Sequence, residues 1–277
     1  NPKHSIGIRH EFTRSPDSNA DWTSDDEIYL DGQLEEKEYV RQGAYAQNHR
    51  HTVNAYYTGK VKDWTIDVNM DGMWYRNYEK DWNNSTYQQV NQEEQTLLVT
   101  STVHNTHHLY ATKLVLTHPL AGGTLSFGGE YSHSKRTNLF VNPQGIVADD
   151  DSYSKEGIAS AFVEYGRQIG KASLQAGVRY EHVAFDYYIK NIHRKDMSRT
   201  TDDLFPSLGL SFPIGKVQMQ LGYAKDILRP SFSQLSGEVT YNNRYTYQTG
   251  NPLLLPMTTD NISLNAKPCI IYFEKGT

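Results

Sequence analysis

Histidine is the natural place to look for chemistry, because imidazole is a common metal ligand and general base. The chain carries 11 histidines, and His104, His107 and His108 crowd one segment. On a strand, His107 and His108 point to opposite faces. His104 and His108 stand about 13 Å apart at ~3.3 Å per residue. They cannot share one ion without a turn, so they read as loop or pore-lining residues. His49 and His51 do share a face, but two ligands without a third make no zinc site. Asp149-Asp150-Asp151 offers oxygens to calcium, yet it lacks the spaced loop with its Gly and distal Glu, and reads as a solvated loop. The single Cys269 excludes both an intrachain disulfide and a cysteine zinc site. Gly43, Gly72 and Gly128-Gly129 have no strand–loop–helix unit around them, so they form no phosphate cradle. Glycines within strands suit bulges or curvature. Neither Gly-x-Ser-x-Gly nor His-Glu-x-x-His occurs. The sequence therefore predicts no catalytic residue, no cofactor, no metal site and no enzyme. A His–Ser pair is the one catalytic arrangement left open.

The elements that would position such residues are legible from composition and period. At 277 residues the chain makes one large β domain or two ordinary ones. With 27 Lys+Arg against 32 Asp+Glu the net charge is −5, which argues against nucleic acid as a partner. No run of 18 apolar residues exists, which excludes a transmembrane helix. Yet 20 Tyr, 9 Phe and 4 Trp are too many aromatics for a disordered chain. Two solutions remain: a soluble all-β protein, or a transmembrane β-barrel whose apolar residues are diluted by alternation. The chain opens at Asn1-Pro2-Lys3 with no charged-then-apolar leader, which suits a mature chain or a fragment.

Period two is the strongest signal. In 172–180, Ala172, Leu174, Ala176, Val178 and Tyr180 alternate with Ser173, Gln175, Gly177 and Arg179. Alternate side chains of a strand leave opposite faces, so one face is apolar and the other polar. The same holds for Val217, Met219, Leu221 and Tyr223 against Gln218 and Gln220. It recurs for Leu125, Phe127 and Tyr131 against Ser126 and Glu130, and for Trp64, Ile66, Val68 and Met70 against Thr65, Asp67 and Asn69. Tight turns are predicted at 59–63, 121–124, 170–171 and 215–216, all at one end of an antiparallel sheet. Long polar segments lie between them at 77–92, 136–155, 186–203 and 228–256. Short turns at one end and long loops at the other mark outer-membrane barrels, and Tyr and Trp near strand ends suit interfacial girdles. At about ten residues per crossing, roughly ten to twelve strands fit. Arg179, Glu181, Glu130, Asp67 and Asp71 are then expected to face the lumen.

One segment carries a family resemblance. Arg229-Pro230-Ser231-Phe232, Leu235, Tyr245-x-Tyr247 and Gly250-Asn251-Pro252-x-Leu254-x-Pro256 resemble the barrel of TonB-dependent receptors, and among these the Bacteroidota outer-membrane β-barrel family. Pro119-Leu120 through Tyr131-Ser132 resembles a second pattern of that family, with His118 in place of its aromatic. The resemblance implies residence in the outer membrane of a Gram-negative bacterium. It also implies active uptake of a scarce extracellular substrate, with a plug domain inside the barrel and the TonB complex as partners. Against that pattern the chain shows no plug and no TonB box. Its end, at 267–277, lacks the closing strand with a terminal aromatic, and Pro268 suits a central strand badly.

The expectation is thus an all-β, antiparallel transmembrane β-barrel: a partial barrel of roughly ten to twelve strands, with 1–277 as one barrel domain of a larger receptor. Its partners are outer-membrane lipid, the plug, the TonB complex and an unidentified extracellular substrate, with no nucleic acid. A passive porin-like barrel and a soluble β-sandwich binding module are the rival readings.

Overall fold

The structure, a computed structural model, describes residues 3–15 and 18–268. Cys269 and the closing segment 269–277 lie outside the described residues, as do Asn1 and Pro2. The strands are β1 (His4–Arg14), β2 (Ser18–Leu30), β3 (Gln33–Val61), β4 (Trp64–Gln89), β5 (Gln95–Leu120), β6 (Gly123–Val141) and β7 (Asp150–Ile169). They continue as β8 (Ala172–Ile189), β9 (Ile192–His193), β10 (Arg199–Ile214) and β11 (Val217–Leu228). A short helix α1 (Phe232–Leu235) and the strands β12 (Val239–Asn243) and β13 (Thr246–Thr249) precede β14 (Met257–Pro268).

Twelve strands form one antiparallel sheet in the order β1-β3-β4-β5-β6-β7-β8-β10-β11-β14, with β2 on β3 and β9 on β8. Neighbours in sequence are thus mostly neighbours in space, as short hairpins require. Two-residue turns at 62–63, 121–122, 170–171 and 215–216 stand together at one end of the sheet, as the sequence predicts. Gly170 and Gly215 have φ of 59° and 58° at the first turn position, a conformation that disfavours a β-carbon. Among the described residues the sheet stays open between β14 and the β1/β2 edge. Pro268 ends β14 opposite Val217 on that edge, where a missing donor is tolerated.

The long polar segments differ from the sequence expectation. Residues 77–89, 136–141, 150–155, 186–189 and 199–203 are strand, not loop. β3 runs 29 residues, about 95 Å at ~3.3 Å per residue, far more than one bilayer crossing needs. The strands continue beyond the membrane, where the outward face meets water and the inner face mixes buried polar residues such as Asn83 and Ser85 with buried apolar ones such as Val99 and Phe140, so clean alternation disappears. Polarity there is not a break in the ladder. Only 229–256 fits the expected long loop, and it holds α1 and the β12–β13 hairpin.

Register sorts the two faces. Val68 pairs with Leu114, and Leu116 with Phe127. Phe127 pairs in turn with Val163, and Val163 with Val178. This outer face carries no second sheet, so the sandwich reading fails. The only other sheet among the described residues, β12–β13, lies on the polar face. Leu114, Val163 and Leu221 are 42%, 43% and 42% exposed. On β4 the outward positions read Trp64, Ile66, Val68, Met70, Gly72, Trp74 and then Arg76. Trp64 and Trp74 stand about 33 Å apart along the strand, or ~23 Å along the membrane normal at a 45° tilt. That matches the apolar band of an outer-membrane barrel. Trp64 packs on His118 and Phe127 at 4.4 and 5.9 Å, and Trp74 Nε1 donates to the Tyr110 hydroxyl at 3.1 Å. Polar outward residues begin abruptly above the band, at Arg76, His108, Lys155, His182 and Lys225. The buried apolar core lies above this level too, on the inner face, where Val99, Val103, Phe140, Val147 and Tyr241 cluster.

Leu221→Arg is expected to destabilise the membrane-embedded protein by roughly 2–4 kcal/mol, whereas Gln220→Arg on the inner face costs little. Denaturant titration of the two variants in lipid checks the difference.

Candidate functional site

The segment 229–256 folds back over the inner face instead of extending away from it. Pro230 follows the end of β11 and supplies no ladder donor. Ser231 then caps α1: its hydroxyl accepts from Gln234 N, and Gln234 Oε1 accepts from Ser231 N at 2.8 Å. Leu235, 4% exposed, packs against Phe185 and Tyr187 of β8. Gly250 passes so close to α1 that a β-carbon there would meet the carbonyl oxygens of Ser236, Ser233 and Gln234. Asn251 N donates to the Gln234 carbonyl at 2.6 Å, and Asn251 Oδ1 accepts from Leu253 N at 2.9 Å. Arg199 Nη1 donates to the Pro252 carbonyl at 3.3 Å. Leu254 N closes back on the Asn251 carbonyl at 3.1 Å.

The residues singled out in the sequence are therefore brought together as a fastening. Arg229, Pro230, Leu235 and Pro256 line one narrow crevice with Glu156 and Phe185. Phe232 lines the main cavity, Tyr247 packs edge-on against Tyr241 at 5.6 Å, and Tyr245 stays exposed beside Arg244.

Two ion pairs clamp the segment. Arg229 pairs with Glu181, whose side chain is 5% exposed and also meets Arg179 at 3.1 Å. Arg179 in turn reaches Glu130 at 3.6 Å. At the hairpin, Arg244 Nη1 donates to Glu36 Oε1 at 2.7 Å, with Glu36 1% exposed, and stacks over Tyr87 at 3.6 Å. Asn83 Nδ2 donates to the Asn242 carbonyl at 2.6 Å. The sequence reading places Arg179, Glu181 and Glu130 on the inner face, where they are found. It contained no sign of the Glu36–Arg244 pair, which spans 208 residues.

Beneath the segment, at the long-loop end, lies a cavity of about 520 Å³. Its charged lining residues are Glu79, Asp81 and Glu238, and Trp22, Phe140, Phe232 and Tyr241 supply aromatic walls. This part of the sheet stands beyond the apolar band. Burial, reinforced by Glu79, pushes the Asp81 carboxyl up to about 7. Burial also raises Glu238, and it pushes the Tyr241 hydroxyl up to about 12. Asp81 still accepts a bond from Ser101 Oγ at 3.3 Å.

The other candidates separate. His107 faces inward and accepts from Arg136 Nε at 3.3 Å, whereas His104 and His108 face outward. His51 stacks on His10 at 5.5 Å. Among the described residues no group of three His, Cys, Asp or Glu side chains is placed to hold a metal ion. Asp150 differs from the solvated-loop reading. Its Oδ2 accepts from Asn138 and from Ser152, at 2.8 and 2.6 Å. Asp149 accepts from Asn142 N at 2.8 Å. A His–Ser pair does occur, with Ser198 Oγ 3.0 Å from His193 Nε2. The same nitrogen meets Asp186 at 2.9 Å, so the imidazole does not bridge acid and hydroxyl through opposite nitrogens. Ser198 is further held by Tyr187 N and the Arg194 carbonyl.

Removing one partner of a buried ion pair leaves a charge without compensation, at a cost of about 3–5 kcal/mol. Arg244→Ala is accordingly expected to release the hairpin and expose 238–250 to limited proteolysis, while the Glu36→Gln/Arg244→Met double variant keeps most of the protection. Asp81 carries a second expectation. Its folded pKa lies above the unfolded value, so the folded state holds the extra proton between about 4 and 7 and stability falls as pH rises through that window. Asp81→Asn is expected to match the parent protein near pH 4 and exceed it at pH 8, read as denaturation midpoints.

The copper transporter OprC is 9% identical, covers 97% of this chain and 47% of its own, and superposes with a TM-score of 0.48. The siderophore receptor PirA from Pseudomonas aeruginosa is 15% identical over 96% of this chain and 53% of its own, with a TM-score of 0.42. The ferric citrate transporter FecA is 8% identical over 81% and 44%, with a TM-score of 0.41. The chain spans about half the length of these solved proteins. No curated protein matches. A family model does match, across residues 59–268, more than half of the chain and all of the sheet from the end of β3 to β14. By that match, and by the banded antiparallel sheet, the chain belongs to the outer membrane protein beta-barrel family.

Proposed function

We propose that this chain is the barrel portion of a TonB-dependent outer-membrane receptor of the Bacteroidota type, which takes up a scarce solute from outside the cell. The observation that carries this reading is the position of the cavity. It lies on the inner face, beyond the apolar band at the long-loop end, under a segment fastened by buried ion pairs. In a barrel with short periplasmic turns that end faces outward, where a receptor meets its solute. A passive pore gains nothing from a fastened cover.

The rest of the reading follows from physical need. The sheet has two open edges among the described residues, and lipid offers backbone groups no hydrogen bonds. Further strands close the barrel in the receptor, with 1–277 forming one barrel domain of it. Inward charges such as Glu130, Arg179 and Asp67 face a plug domain, and that plug links the barrel to the TonB complex. Outer-membrane lipid covers the apolar band. The protein is a transporter and not an enzyme. In the one Ser–His contact among the described residues, His193 meets both Asp186 and Ser198 through a single nitrogen, which supports that reading.

The test is uptake by Gram-negative cells carrying the receptor that contains this chain. Accumulation of solute is expected to stop when TonB is deleted, and the purified protein in planar bilayers is expected to show no steady conductance. Uptake unaffected by TonB deletion, together with open-channel conductance, would establish the porin-like reading instead.

A further inference from the structure

The cavity under 229–256 has an uneven chemistry. Glu79, Asp81 and Glu238 line it, and none of its lining residues is Lys or Arg. Arg136 stands beside it, stacked on Phe232 at 6.0 Å, but its Nε is engaged by His107. Two amide oxygens carry the same message. Asn105 and Asn138 line the cavity, and the Oδ1 of each is buried and receives no hydrogen bond. Asn138 is only 2% exposed, and its amide nitrogen is already committed to Asp150. Its oxygen is therefore the end left for a donor. Buried acceptors without donors are rare in folded proteins and call for an explanation.

We propose that this cavity binds an organic cation, a primary ammonium or similar amine, drawn in by the summed charge of Glu79, Asp81 and Glu238 around its lining, with the orphaned asparagine oxygens as further acceptors. The walls select the organic part. Phe140, Phe232, Tyr241, Val99 and Val147 offer apolar and aromatic surface to an alkyl chain, and aromatic faces attract a cation. A bare metal ion fits less well, because no group of three acidic or imidazole side chains converges for it among the described residues. Burial of the carboxylates pushes Asp81 up to about 7, and a bound ammonium relieves that repulsion. The inference names the solute class of the receptor and rests on that reading for its physiological meaning, although binding itself does not.

Calorimetric titration of the receptor, purified from outer membranes in detergent, tests it without any energy coupling. The probes are 1,5-diaminopentane, the uncharged 1,5-pentanediol, the dianion glutarate, and calcium. The diamine is expected to bind, and the diol and glutarate to fail. Asp81→Asn and Glu238→Gln are each expected to weaken the diamine at least about tenfold, as loss of a charge-assisted hydrogen bond does. Asp81→Asn is also expected to stabilise the fold at pH 8, so weakened binding is not unfolding. Diamine binding no tighter than diol binding, calcium binding in its place, or binding indifferent to both substitutions would overturn the assignment. Diamine binding without TonB-dependent uptake overturns the receptor reading and leaves the site standing.

Discussion

A backbone amide in hydrocarbon has no water to bond, and everything else in this protein follows from that. Each N–H and C=O that crosses the membrane must find its partner in a neighbouring strand. The cheapest way to supply one is an antiparallel hairpin closed in two residues. Hence the repeated pairing of β3 with β4, β5 with β6, β7 with β8 and β10 with β11 through tight turns at one end. Once the ladder is fixed, a strand has only two faces to offer. Lipid takes one and the interior takes the other.

The outward face therefore records the membrane. From Trp64 to Trp74 it is apolar, and at Arg76 it changes at once. The interfacial rings bridge the change with their polar tips. Tyr223, for example, donates to Asp260 at 2.8 Å on the neighbouring strand. The inward face has a different duty. It carries charges that lipid would never accept, and it uses some of them to hold 229–256 in place. Glu181 between Arg179 and Arg229, and Glu36 under Arg244, are charges buried on one side of the sheet and matched from a segment far along the chain.

Such pairs suit a cover better than they suit a core. A buried ion pair adds little net stability against an apolar alternative, because desolvation offsets most of the attraction. It does impose a single arrangement, since a misplaced cover strands a charge. The Gly250-Asn251-Pro252 passage works in the same sense. It lets the backbone pass against α1 and sets the hairpin over the cavity at one height.

Period two alone determined the sheet, its polarity and its turns. Leu174 and Val178 against Gln175 and Arg179 define which face meets lipid, because alternation is a property of neighbours in sequence. The same logic misled above the membrane. There 77–89 and 136–141 lose the clean alternation, because the outward face meets water while the inner face buries polar and apolar residues alike, such as Asn83, Ser85 and Phe140, and such a strand looks like a loop. The motif at 229–256 was visible as a pattern, but its purpose was not. Pattern does not say that Gly250 lies against α1 or that Arg229 reaches Glu181. The cavity was wholly a matter of tertiary structure. Glu79, Asp81 and Glu238 come from a strand and a distant loop, and only the fold-back sets them around one space. Their chemistry arises from shared desolvation, which depends on distance in space and has no counterpart in distance along the chain.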